Sequence, residues 1–283
     1  MSGNYQLVRL NNGICSVRSL VDHETFHPVV GPVAEAEALY VRQLQLRERI
    51  QNTSGEFVVW DVGLGAAANV LTALRATREI ECRLRIISFD HTPEPLEFAL
   101  KHAGELGYFD GYEKPAAELL QKHRATFQAA AQTVDWEFHC GDFPARLNSK
   151  TTLPAPHAIL FDAYSPARNP AMWTLPVFRN LFRRLDPQRP CALPTYSRST
   201  ILRVTLLLAG FFVGVGHATG EKEETTIAAN TLDLIAEPLD ARWLERAGRS
   251  DSAEPLREPV YSRAKLKQGT MEMLRRHPQF SGG

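Results

Sequence analysis

The chain has little that would tie it to a disulfide framework, a metal or a membrane. Its 283 residues hold only four cysteines, Cys15, Cys82, Cys140 and Cys191, scattered and without a Cys-x-x-Cys pair. Such spacing excludes the common cysteine metal sites and reads as reduced thiols. The histidines, among them His23, His27, His91, His102, His123, His139 and His217, show no ligand spacing either, so no metal is expected. The opening stretch MSGNYQLVRLNNG is too polar for a signal peptide, and no apolar run approaches membrane-spanning length. Charge of one sign is also missing: 32 Lys and Arg balance 32 Asp and Glu, for a formal net charge of zero. Bulk charge therefore marks no nucleic-acid binder and no DNA partner, although a local basic face would still serve. There is no internal repeat and no low-complexity segment. The expectation is a soluble cytoplasmic protein that makes no membrane contact.

What is present is an alternation of short apolar runs and helical patterns. YQLVRLNNGICSVRSL places Asn12-Gly13 between two strand-like runs, a hairpin signal. A helix follows, with Ala38, Tyr40, Val41, Leu44 and Leu46 on its apolar side. FVVWDV (57 to 62), LRIISFD (84 to 90), VDWEFHCGD (134 to 142) and HAILFD (157 to 162) read as strands buried on both faces. Helical patterns are expected through about Ala76, over roughly 94 to 132 with a break at 107 to 112, and over VFRNLFRRL and RSTILRVTLLLAG. Further strands are expected at PCALPTYS, FFVGVGH and NTLDLIAE. The fold class is α/β, a doubly wound, Rossmann-like parallel sheet. Residues 1–50 form an N-terminal hairpin and helix packed on a catalytic domain of residues 51–239, and 240–283 form a peripheral tail.

Asp61, Asp90, Asp142 and Asp162 each sit at or just beyond the carboxyl end of a strand. One such acid is commonly a helix cap. Four at one sheet edge describe a crevice lined by carboxylates, which suits ribose hydroxyls and an adenine amino group. The turn GLGAAAN is ambiguous. Gly63, Gly65 and Ala67 fit the Gly-x-Gly-x-Gly loop of S-adenosylmethionine enzymes, while Gly63, Gly65 and Ala68 fit a dinucleotide fingerprint. Two features favour the methyl donor over NAD. Asp61, two residues before Gly63, would repel a pyrophosphate but suits a cationic methionine head, and the third and fourth acids have no use in a nicotinamide fold.

VWDVGLGAAANVLTAL, LRIISFD, WEFHCGD and above all ILFDAYSPARNPAMWT resemble the methyltransferase half of the bifunctional tRNA 5-methylaminomethyl-2-thiouridine biosynthesis enzymes (MnmC) and their stand-alone counterparts (MnmD). The hallmark loop is matched by Asp162, Pro166, Ala167, Asn169, Pro170, Met172, Trp173 and Thr174, and the likeness spans about residues 35–236. It implies S-adenosyl-L-methionine as cofactor and the 5-aminomethyl group of a tRNA wobble uridine as acceptor. It also implies a tRNA anticodon region as partner. A separate flavin-dependent oxidase, or the upstream wobble-uridine enzymes, would complete the pathway, the oxidase half being expected to be absent from this chain. By the same resemblance, Gly63, Gly65 and Asn69 surround the methionine part of the donor, Asp90 meets the ribose, and Asp142 lies near the adenine. Asp162 falls beside the transferred methyl and the acceptor amine. Glu37 and Tyr40 match an N-terminal segment bordering the pocket.

In methyl transfer to an amine, a carboxylate can orient the nitrogen and receive a proton, the role expected of Asp162. Tyr164 and Trp173 are candidates to stack on a base, Asn169 to hold substrate, and Arg168 to meet a phosphate. A basic surface would draw on Arg179, Arg183, Arg184, Arg198, Arg203 and the 263–276 segment. TGEKEETTIAA (219 to 229) departs from the family, with Glu221 where it is basic and Lys222 a partial match. That departure leaves two alternatives open: another RNA or small-amine acceptor, and a non-catalytic donor-binding module.

Overall fold

FVVWDV becomes the middle of a central sheet because its side chains alternate into two separate cores. Phe57 and Val59 enter one, and Val58, Trp60 and Val62 the other. The structure is a computed structural model describing residues 3–150, 152–220 and 223–281. Glu221 and Lys222 lie outside the described residues. The strands are β1 (Tyr5–Arg9), β2 (Cys15–Ser19), β3 (Glu56–Val62), β4 (Cys82–Asp90), β5 (Arg124–Ala129), β6 (Gln132–Cys140), β7 (Ala158–Phe161), β8 (Ala192–Thr195), β9 (Phe212–Gly216) and β10 (Thr225–Ala229). The first two pair as an antiparallel hairpin turning at Asn12-Gly13. The others form one sheet in the order β5-β6-β4-β3-β7-β8-β10-β9. Neighbours from β6 to β8 are parallel, while β5 and β10 run antiparallel to their neighbours.

Helices cover both faces, as a parallel sheet requires. One face carries α1 (Pro32–Ala36), α2 (Leu46–Gln51), α3 (Ala68–Thr77), α4 (Glu94–Lys101), α5 (Ala103–Leu106) and α6 (Glu113–Lys122). The other carries α7 (Phe143–Asn148), α8 (Leu175–Phe182), α9 (Thr200–Ala209), α10 (Ala241–Arg249) and α11 (Gln268–Arg275). The doubly wound reading therefore holds. The C-terminal segment joins the second core through Trp243, Leu256 and Leu274. Beyond α11, the Gln279 amide bonds both backbone groups of Val213 and the carbonyl of Leu239, satisfying part of the edge strand β9.

Three sequence expectations are corrected. Residues 124–132, read as the end of a helical stretch, form β5 and a tight turn into β6. Alanine-rich RATFQAAA has helical propensity, but antiparallel pairing with β6, including Arg124 opposite Glu137, overrides it. The last strand is TTIAA, buried along its length, whereas NTLDLIAE holds a bend and a short 3-10 turn at Leu232–Leu234. The N-terminal helix is broken: α1 runs into a π turn (Glu37–Arg42), and Gln45 at φ 49 separates it from α2.

Candidate active site

The adjacency of β6, β4, β3 and β7 lines up Asp142, Asp90, Asp61 and Asp162 along the carboxyl edge of the sheet. A cavity of about 540 Å³ opens above that edge, within the usual range for small-molecule sites. Asp90, Asp142 and Asp162 line it, together with Gly63, Gly65, Asn69, Tyr164 and Asn169. Asp142 also caps α7, accepting from the Ala145 N–H at 2.6 Å. The Asp90 carboxylate accepts from the Gly65 N–H at 2.9 Å and from the His91 N–H at 2.8 Å. That first bond ties the glycine turn to the second strand.

The turn itself is built on left-handed backbone. Gly63 (φ 98), Gly65 (φ 50) and Ala67 (φ 62) all have positive φ. A Cβ at Gly63 would stand 2.7 Å from the Asp162 carbonyl oxygen, so only glycine lets the two loops approach so closely. Ala67 adopts the same conformation with a side chain, at a cost of about 1–2 kcal/mol. The helix that follows presents Asn69, whose Nδ2 donates to Asp162 at 2.8 Å. Its Oδ1 is buried with no partner among the described residues.

The far end of the cavity is assembled from the segment after the hairpin, α1 and the loops after β7 and β8. His27 stands between two carboxylates, Nε2 3.6 Å from Asp162 and Nδ1 3.9 Å from Glu35. Glu24 accepts from the Ser165 N–H and hydroxyl, holding the hallmark loop against the N-terminal segment. Tyr196 donates to the Ala163 carbonyl at 3.0 Å. Negative charge converges here: desolvation and the carboxylates Asp162 and Glu35 push the Tyr40 and Tyr196 hydroxyls well above the usual tyrosine range. His27, Glu35, Glu24 and Tyr196 were not singled out in the sequence, because no local motif joins them to Asp162.

Five sequence candidates are not at the cavity surface. Asp61 lies inside β3, accepting from the Ser88 hydroxyl at 2.7 Å, and Ser88 in turn accepts from the Trp136 indole. The other oxygen of Asp61 has no partner among the described residues, and burial pushes its carboxyl up to about 8. Glu37 is set back, and Glu35 is the acid of that segment that reaches the cavity. Tyr40 is fully buried behind the site, donating to the Phe161 carbonyl. Trp173 is core, packed on Phe161 and Phe178 with its indole N–H on the Tyr164 carbonyl. Arg168 points to solvent outside the cavity. Both Trp173 and Arg168 sit within a loop whose backbone reverses at Ser165, so sequence proximity to Asp162 does not carry their side chains inward. Of the two aromatic candidates Tyr164 is the one at the cavity wall, 5.7 Å from the Phe26 ring.

Residues 110–231 match a family of proteins described as S-adenosyl-L-methionine-dependent methyltransferases. Over 239 residues the chain is 29% identical to the tRNA 5-methylaminomethyl-2-thiouridine biosynthesis bifunctional protein MnmC of Aeromonas hydrophila, covering 77% of this chain and 34% of that protein. The MnmC of Cupriavidus metallidurans is likewise 29% identical, over 79% of this chain and 34% of its own. The chain thus spans about a third of the length of these relatives. Among solved structures, MnmC2 of Aquifex aeolicus superposes with a TM-score of 0.71 at 23% identity, covering 97% of this chain and 83% of that one. The cavity fits the cofactor of this family: Gly63 and Gly65 leave room for a ligand against the backbone. The unpaired Asn69 Oδ1 and the row of carboxylates suit a ligand that carries an ammonium, a sulfonium and ribose hydroxyls. The chain is thus similar to S-adenosyl-L-methionine-dependent methyltransferases and, over most of its length, to part of the MnmC proteins.

Proposed function

We propose that the chain methylates an amine, namely the 5-aminomethyl group of a wobble uridine or 2-thiouridine in tRNA. The observation that carries this is the 161–174 loop. It matches the MnmC hallmark in sequence and delivers Asp162 to the cavity, held by Asn69, next to His27. Bound in this cavity, S-adenosyl-L-methionine supplies a methyl group on a positively charged sulfur. In this reading the Gly63–Gly65 backbone and Asn69 hold the amino-acid portion of the donor, Asp90 the ribose hydroxyls, and Asp142 the region of the base. Asp61 acts from beneath, through its hydrogen bond with Ser88. Asp162 orients the acceptor nitrogen, and Tyr164 offers a ring face to the uracil. The chain would work in the cytoplasm on the anticodon region, after the enzymes that install the aminomethyl group, a separate flavin-dependent oxidase among them.

A small-amine acceptor is the second reading. It is favoured by the placement of Trp173 and Arg168 away from the cavity, and by Glu24 and Glu35 beside it. Methyl transfer from the donor, assayed in parallel on bacterial tRNA carrying 5-aminomethyluridine and on a panel of small primary amines, separates the two. Methylation of the tRNA alone is expected; methylation of the small amines alone would replace the tRNA assignment.

A further inference from the structure

The acceptor amine arrives mostly protonated near neutral pH, since a primary alkylamine titrates around 10. It cannot attack until that proton has gone. A carboxylate is a weak acceptor for it, because an ordinary aspartate titrates near 4, about six units below the ammonium. Histidine lies between the two, and its ordinary titration falls closest to neutral pH. His27 faces this end of the cavity, beside Asp162 and Glu35.

We propose that His27 is the catalytic base of the site, removing the proton from the ammonium form of the acceptor before methyl transfer. The assignment rests on amine methylation as the reaction. His27 lines the cavity, and its side chain is 9% exposed between Asp162 at 3.6 Å and Glu35 at 3.9 Å, the latter 8% exposed. Its backbone is left-handed (φ 48) immediately before Pro28, a conformation that costs energy and is held by its surroundings. Asp162 after β7 and Glu35 from α1 face it within 4 Å, and the cavity lining around them includes Glu24, Tyr196, Arg18 and His23. The two flanking carboxylates compensate a charge on the imidazole. Neutral His27 takes one N–H proton from the ammonium and leaves the nitrogen a free electron pair. That pair forms the N–C bond while the electrons of the C–S bond stay on sulfur. The product departs as a secondary ammonium, and the imidazolium returns its proton to water. Asp162 positions the nitrogen, and Glu35 orients the ring.

The test is the pH profile of kcat/KM for wild type, His27→Gln and Glu35→Gln, with S-adenosylhomocysteine binding by calorimetry as the check on folding. Wild type is expected to level off above neutral pH. His27→Gln should bind the product normally, yet lose about a hundredfold in rate near pH 7. Its rate should then climb about tenfold per pH unit toward the titration of the amine, since only free base reacts. Added imidazole should restore part of the rate to His27→Ala. Glu35→Gln should move the acid limb of the wild-type profile to lower pH. A His27→Gln enzyme with the wild-type rate and profile would overturn the assignment while leaving amine methylation standing. If His27 variants fail to fold, an unmoved acid limb in Glu35→Gln overturns it instead. No amine methylation by the wild type at any pH overturns both.

Discussion

At the scale of single residues, the acids of the sheet edge differ in what surrounds them, and their substitutions should differ accordingly. Asp162 has one donor, Asn69, and stands open to the cavity. Asp162→Asn keeps the shape and an acceptor oxygen but loses the charge that steers a cation. Donor affinity by calorimetry should change little while turnover falls about a hundredfold or more; unchanged turnover would make Asp162 structural. Asp61 is the opposite case, closed off and bonded to Ser88 through one oxygen only. Burial holds its carboxyl at about 8, against roughly 4 in an unfolded chain. Between those values the native protein keeps a proton that the unfolded chain has released, so this group makes stability fall as pH rises from about 4 to about 8, by on the order of 1 kcal/mol per unit. Asp61→Asn removes that dependence. Its melting temperature relative to wild type should rise steadily from pH 5 to pH 8, and parallel melting curves would show that Asp61 is already ionised in the fold.

At the scale of elements, the glycine turn separates two kinds of constraint. Gly63 has φ 98 and no room, with the Asp162 carbonyl 2.7 Å from where a Cβ would sit. Gly65 has φ 50, which a side chain adopts at a cost of about 1 kcal/mol, and its nearest neighbour would be the movable Phe26 ring at 3.3 Å. Gly63→Ala should therefore lose about 2–3 kcal/mol in urea unfolding and most of its donor affinity. Gly65→Ala should lose about half that and keep a folded turn; equal losses would mean that φ alone matters. These elements were legible in the sequence because strands buried on both faces appear as apolar runs, and FVVWDV, LRIISFD and HAILFD all became β3, β4 and β7. β5 was not, since RATFQA owes its extended form to the partner strand β6 rather than to its own composition. TTIAA was hidden by its threonines, which are satisfied inside the sheet and by Arg203. Asp90, Asp142 and Asp162 could be traced to one edge by counting strand ends. His27 and Glu35 could not, because their proximity to Asp162 arises only when the N-terminal segment folds over that edge.

At the scale of the whole molecule, the question is how much positive charge a zero-net-charge protein can offer an RNA. Several arginines that looked available are committed within the fold. Arg203 is buried against Thr225, Thr226 and Glu224, Arg184 binds the carbonyl of Leu147, and Arg179 that of Leu208. The exposed cations nearest the site in the chain are Arg168, in the loop after β7, and Arg198, just after β8, both at the cavity edge of the sheet. If the acceptor is an anticodon loop, these two should meet phosphates while the base enters beside Tyr164. Each phosphate contact adds about 0.7–0.9 to the slope of log affinity against log salt. If only the cations at the cavity edge take part, that slope should be shallow, near two or three in all. The double reversal Arg168→Glu and Arg198→Glu should weaken tRNA methylation at least tenfold at low salt and flatten the slope by about two. S-adenosylhomocysteine binding should not change, because neither side chain lines the cavity. A small-amine acceptor predicts the reverse: rates that scarcely respond to salt or to the reversals, since a compact cation is held by Asp162, Glu35 and Glu24 inside the cavity, where screening is weak. Salt-independent methylation, unmoved by the double reversal, would remove the tRNA assignment and leave the amine as a small molecule.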